Sequence, residues 1–185
     1  RLRIGQRTSG SYDYLCQIGN YMSWRQGVCE PLESGKLVNA ELFWRTDTMG
    51  RYIPPGTVIT YNFEVEDSNK NRLETDPKEF VYWDVRSLRG KPLQWNEVSQ
   101  GPISVAYYGP VKSRAQIVLD TLLATLDRMG PLLGADIKIP IRVTMYNNNA
   151  DMLGALPPGS TTIRRELVTE GQAFASDGML LMLGG

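Results

Sequence analysis

Any chemistry in this 185-residue chain must be done without histidine, because the sequence has none. That removes Ser-His-Asp triads and Cys-His pairs, in which an imidazole carries the proton. The two cysteines, Cys16 and Cys29, cannot make a standard zinc site without histidine, since structural zinc takes four nitrogen or sulfur ligands. In an oxidising compartment they can close a short loop, worth about 3 kcal/mol through the entropy removed from the unfolded chain. Two unpaired thiols are the other reading. Glu166, Glu170 and Asp177 have the chemistry of a general acid–base pair or a hard-cation site. They alternate with apolar residues on an expected strand, which favours a solvated face. The Gly/Pro-rich stretch Gly154-Ala-Leu-Pro-Pro-Gly159 resembles a phosphate cradle only superficially. It lacks the Gly-Lys-Ser/Thr ending and its prolines remove backbone donors, so it reads as a turn. Tyr82-Trp83 and Tyr107-Tyr108 could stack on sugars, but aromatics are ordinary strand formers and packing is the simpler use.

The bulk composition narrows the partners. Twenty basic and twenty acidic residues cancel, which leaves no long-range attraction for nucleic acid or an anionic membrane. No apolar run approaches the roughly 20 residues needed to span a bilayer as a helix. The chain opens on Arg1 without a charged-then-apolar leader and closes on the apolar run Met179–Leu183 followed by Gly184-Gly185. Such a strand normally sits inside a sheet with more chain after it, so a cut end is expected here.

Two periodicities divide what must position these residues. Residues 1–36 carry five scattered glycines and read as short strands and loops. Val38, Ala40, Leu42 and Trp44 alternate with more polar neighbours, as do Ile59, Tyr61, Phe63 and Val65, the period of half-buried strands. Residues 67–71 have turn chemistry and Phe80–Trp83 supply a further strand. Strands at this spacing with no helix between them predict an immunoglobulin- or fibronectin-like β-sandwich over 1–86. Residues 87–101, with Gly90, Pro92 and Gly101, read as a linker anchored by Trp95. From 102 to 185 the rhythm becomes strand, helix, strand. Ile103–Tyr108 form a strand. Val111, Ala115, Val118, Leu119, Leu122, Leu123, Leu126 and Met129 then mark one helical face, which Gly130-Pro131 ends. A strand over Ile137–Tyr146 follows, then a short helix capped by Asn147–Asn149 and two strands near Thr162–Phe174 and Met179–Leu183.

The second half resembles the start of a gluzincin-type zinc peptidase domain. Leu42-Phe-Trp-Arg-Thr-Asp47, Tyr52-Ile-Pro-Pro-Gly56, Val105-Ala-Tyr-Tyr-Gly-Pro110, Met145-Tyr-Asn-Asn148, Gly154-Ala-Leu-Pro-Pro158 and Glu170-Gly-Gln-Ala-Phe174 are, in order and spacing, similar to the peptidase-MA-like surface proteins of Chloroflexus-related bacteria. The resemblance covers residues 37–185. It implies a β-sandwich followed by an incomplete α+β zincin-like domain, with an extracellular or cell-surface location. It also implies that a helix bearing His-Glu-x-x-His comes next, where two histidines bind zinc and the glutamate activates water. On that reading this chain holds no catalytic residue and no cofactor of its own, and zinc enters only with the later helix. Gln172, Ala173 and Phe174 match the edge strand that binds a peptide or protein substrate in extended form; a plain sheet strand is the other possibility. The competing function is a structural or interaction subunit of a surface or membrane-associated assembly, docking through the sandwich.

Overall fold

The computed structural model describes residues 2–6, 12–16, 46, 52–66, 69–87, 89–134, 140–157 and 170–184. The expected strand over 38–45, Cys29 with its pairing to Cys16, Ile137, Ile139 and Glu166 lie outside these residues. The described chain is an α+β protein of two strand sheets and two helices. It divides into two units, 1–46 with 58–80, and 47–57 with 81–185.

The first unit is a sheet of β1 (Leu2–Gln6), β2 (Tyr12–Cys16), β3 (Val58–Glu66), β4 (Arg72–Glu74) and β5 (Lys78–Val81), in the order β2-β1-β3-β4 with β5 also on β3. β1 pairs antiparallel with both β2 and β3, and β3 antiparallel with β4. The alternation on β3 is more even-handed than its sequence suggests. Thr60 and Asn62 are buried beside Ile59, while Phe63 is 41% exposed. The polar pair tolerates burial because Thr60 Oγ1 donates to Glu79 Oε1 at 3.1 Å and Asn62 Nδ2 donates to Glu74 Oε1 at 2.6 Å. A buried polar group with a partner loses little of what it had in water.

The second unit is built on a five-stranded sheet in the order β6-β7-β8-β10-β9. Its strands are β6 (Trp95–Gln100), β7 (Ile103–Tyr108), β8 (Ile141–Tyr146), β9 (Gly171–Phe174) and β10 (Met179–Leu183), with helices α1 (Lys112–Leu133) and α2 (Asn149–Ala155). β7, β8 and β10 run parallel, and β6 and β9 flank them antiparallel. The crossover β7-α1-β8 brings the helix onto one face. There Ala115 and Leu119 meet Ile103, Val105, Tyr107, Val143 and Met145, with Val111, Val118, Leu122, Leu123 and Leu126 packed around them. These are the residues of the apolar helical stripe, and they bury the face that the 3.6-residue period requires.

Two elements depart from expectation. The helix does not stop at Gly130-Pro131. It runs through Pro131 to Leu133 and ends at Gly134, whose φ of 60° is left-handed and whose amide donates to Gly130 O. Proline expels its predecessor from helical geometry mainly through that residue's Cβ and amide; Gly130 has no Cβ, so the last turn survives. The expected linker 87–101 instead contains β6. Its burial alternates weakly, with only Trp95 and Val98 partly covered, which is why its period is hard to see.

A strap crosses the other face of this sheet. Ile53, Pro54, Pro55, Gly56 and Thr57 are all buried. Gly56 N donates to Tyr82 O at 2.6 Å, Tyr82 N donates to Thr57 O at 2.9 Å, and Thr144 Oγ1 of β8 donates to Pro55 O at 2.8 Å. Only glycine fits at 56. Its φ is 98°, and a Cβ would collide with Thr144 Oγ1 and come within 2.9 Å of Met179 Cε.

Candidate functional site

The face under the strap gathers a cluster of polar and aromatic side chains. Trp83 stacks on Trp95 at 5.0 Å between ring centres, and Trp95 meets Tyr108 and Tyr146 edge-on at 5.1 and 5.5 Å. Trp95 Nε1 donates to Asp84 O at 2.7 Å. Tyr146 Oη donates to Asp84 Oδ2 at 2.5 Å. Tyr108 Oη donates to Asp151 Oδ2 at 3.1 Å, and Asn148 Nδ2 donates to the same oxygen at 2.7 Å. Asp151 is placed by helix capping: its amide donates to Asn148 Oδ1 at 2.9 Å, and a carboxylate in the first turn faces the positive end of the helix dipole. Arg142 pairs with Glu97 at 3.2 Å and lies over the Trp83 ring at 5.9 Å.

The electrostatics of this cluster favour cohesion over catalysis. Burial raises the Asp84 carboxyl above its ordinary value, and the Tyr146 hydrogen bond opposes that only in part. Burial raises Tyr52 and Tyr146 well above the normal phenol range, reinforced by the charge of Asp84. Tyr108 is pushed up to about 12, again chiefly by burial. All three phenols therefore stay protonated near neutrality, and each donates to a fixed acceptor. A phenol held this way is a poor base and a poor nucleophile.

Among the described residues, β9 is the last strand on one side of the sheet. Leu183 N donates to Glu170 O at 2.7 Å, and the antiparallel register continues through Leu181↔Gln172 and Met179↔Phe174. Bonded and non-bonded pairs alternate in such a ladder. Gln172 and Phe174 thus turn their peptide groups toward β10, while Gly171 and Ala173 turn theirs outward. Among the described residues no strand pairs on that outer side. Side chains alternate in the opposite sense. Gln172 and Phe174 share the face of their partners Leu181 and Met179, which is the strap side, and Phe174 packs 5.4 Å from the Tyr52 ring. Gln172 Oε1 is buried and has no hydrogen-bond partner among the described residues.

Compared with known proteins, the chain matches no family model, no curated protein and no solved structure.

The described residues do not fit zinc. The sequence has no histidine, and among the described residues no three of His, Cys, Asp and Glu stand close enough to hold a metal. Glu170 is exposed at the start of β9, and Asp177 lies beyond it in the short 3-10 turn Ala175–Asp177. Gly154 and Ala155 fall in the last turn of α2. Tyr107 is buried in the α1 core, whereas Tyr108 joins the polar network on the opposite face. Tyr52, Asp84, Tyr146 and Asp151 were invisible as a group because 62 residues separate Asp84 from Tyr146 and 103 separate Tyr52 from Ala155. Only the Asn148-to-Asp151 spacing carried a local signal, that of a capped helix.

Proposed function

We propose that this chain is the amino-terminal portion of an extracellular zinc metallopeptidase-like protein, whose β9 edge aligns an extended peptide or protein substrate. The observation that carries this reading is the outward-facing peptide groups of Ala173, on an edge strand with Gln172 and Phe174 at its sides. An edge of this kind accepts one more strand, taking affinity from main-chain hydrogen bonds and selectivity from alternate side chains. The order strand, long helix, strand, short helix and two strands supports a zincin-like assignment for the second unit. The antiparallel strands of the first unit support an immunoglobulin-like one. The chain itself supplies no catalytic residue. On this reading zinc and its activated water belong to a His-Glu-x-x-His helix encoded after Gly185.

The test is the gene and its full product. His-Glu-x-x-His within the next thirty codons, with one zinc per molecule by elemental analysis and proteolysis abolished by a chelator, is the expected result. A continuation lacking that motif overturns the peptidase assignment. A second reading, an interaction subunit of a surface assembly, draws support from the first unit. Its Leu73, Phe80 and Phe63 are 66%, 45% and 41% exposed, and such apolar surface suits docking. A source protein whose intact mass matches these 185 residues alone favours this second reading.

A further inference from the structure

The two side chains that β9 presents on the strap side have different unmet needs. Phe174 offers a ring, tilted 33° to that of Tyr52, and both residues keep part of their surface exposed. Tyr52 is not free to swing away, because its hydroxyl donates to Ala155 O of α2 at 2.6 Å. The pair is therefore a preset aromatic wall at the sheet edge. Gln172 offers an acceptor, the Oε1 that is buried and receives no hydrogen bond from the described residues. On the opposite face of the strand, Gly171 and Ala173 are exposed and small, and discriminate little between side chains.

A strand added antiparallel beside β9, the more stable pairing, bonds its backbone to Ala173, and the residue opposite Ala173 projects to the featureless side. Its two neighbours project to the strap side, one opposite Phe174 and the other opposite Gln172. The peptide groups of those neighbours point away from β9, so an N–H reaching Gln172 Oε1 must come from a side chain. Building on the peptide-edge reading above, we propose that this edge selects extended peptides with an aromatic residue opposite Phe174 and, two positions away, a residue whose side chain donates a hydrogen bond opposite Gln172. The residue between them is unrestricted. Because the added strand runs antiparallel to β9, the aromatic residue comes two positions before the donor.

Fluorescein-labelled heptapeptides test this with the full chain, by fluorescence anisotropy. The cores are Phe-Val-Asn and Asn-Val-Phe, each with Ala replacing Phe, with Leu replacing Asn, and with N-methylvaline at the centre. N-methylation removes the backbone donor to Ala173 and needs no protein variant. The order Phe-Val-Asn is expected to bind, the N-methyl form to lose binding, the Ala form to bind about ten-fold more weakly, and the Leu form several-fold more weakly. Phe174→Ala is expected to erase the preference for Phe over Ala while leaving N-methyl sensitivity intact. Binding that is N-methyl-sensitive but equal for Phe and Ala peptides overturns the selectivity and leaves the peptide edge standing. Binding indifferent to N-methylation, or no binding by any peptide, overturns both.

Discussion

Asp84 accepts the Tyr146 hydroxyl beneath the strap while its own carbonyl receives Trp95 Nε1. Burial raises its carboxyl pKa, so the folded protein holds a proton that the unfolded chain loses near pH 4. Stability therefore falls as pH rises from about 4 through the raised value, and the cost is complete above it. Asp84→Asn keeps the shape and an acceptor for Tyr146 without that ionisation. The variant is expected to melt with the parent at pH 4 and about 2–4 °C above it at pH 7. Thermal melts across this range check it, and a gap that is constant with pH would show that Asp84 does not titrate in the folded state. The phenols act in the same sense at the alkaline end. With Tyr108 raised to about 12, folding keeps a proton on it that the unfolded chain releases near pH 10, and stability is lost as pH climbs between them.

Among the elements, α1 was the most legible, because its eight apolar positions fall on one stripe and seven of them pack on the sheet. The two faces of that helix make a matched pair of expectations. Leu119 is 1% exposed and Ile117 is 64% exposed. Leu119→Ala is expected to cost about 2–5 kcal/mol, and Ile117→Ala to stay within about 0.5 kcal/mol. Urea unfolding measures both, and similar losses would place the helix in a different rotation. β7 and β8 were also readable, from the alternation of Ile103, Val105 and Tyr107 and of Ile141, Val143 and Met145, and β10 from its continuous apolar run Met179–Leu183. β6 was not, because an edge strand needs few apolar residues, and Gly90 and Pro92 beside it carry the signature of a loop. β9 could be assigned to an edge through family resemblance, but its outward peptide groups at Gly171 and Ala173 depend on register, which a lone strand does not encode. The strap was hidden for a different reason. Ile53-Pro54-Pro55-Gly56 punctuates a sequence correctly as a break in pairing, and nothing local says that the break is buried.

At the scale of the whole molecule, the chain is interleaved. Residues 47–57 join 81–185 in one unit, and 58–80 belong to the other. A boundary near residue 102, where the sequence rhythm changes, therefore cuts through one compact unit. A fragment of 102–185 lacks β6, which leaves β7 an uncovered edge, and lacks Trp95, which Tyr108 and Tyr146 pack against, with the Trp83 stacked on it. It also lacks the strap, so Thr144 Oγ1 loses Pro55 O and Tyr146 Oη loses Asp84. Each stranded buried donor costs about 1–3 kcal/mol, and several together approach the total stability of a domain this size, on the order of 5–15 kcal/mol. The fragment 102–185 is expected to show no cooperative melt by circular dichroism, whereas 47–185 keeps strap, β6 and network together and melts as a single transition. Cooperative unfolding of 102–185 at the temperature of the whole chain would mean that the strap only rests on the sheet. Loss of cooperativity on removing it means that the chain on both sides of the first unit's β3 is needed to complete the face beside which β9 lies. In that case Tyr52 reaches Phe174 of β9 only when 47–57 and 81–185 fold as one body.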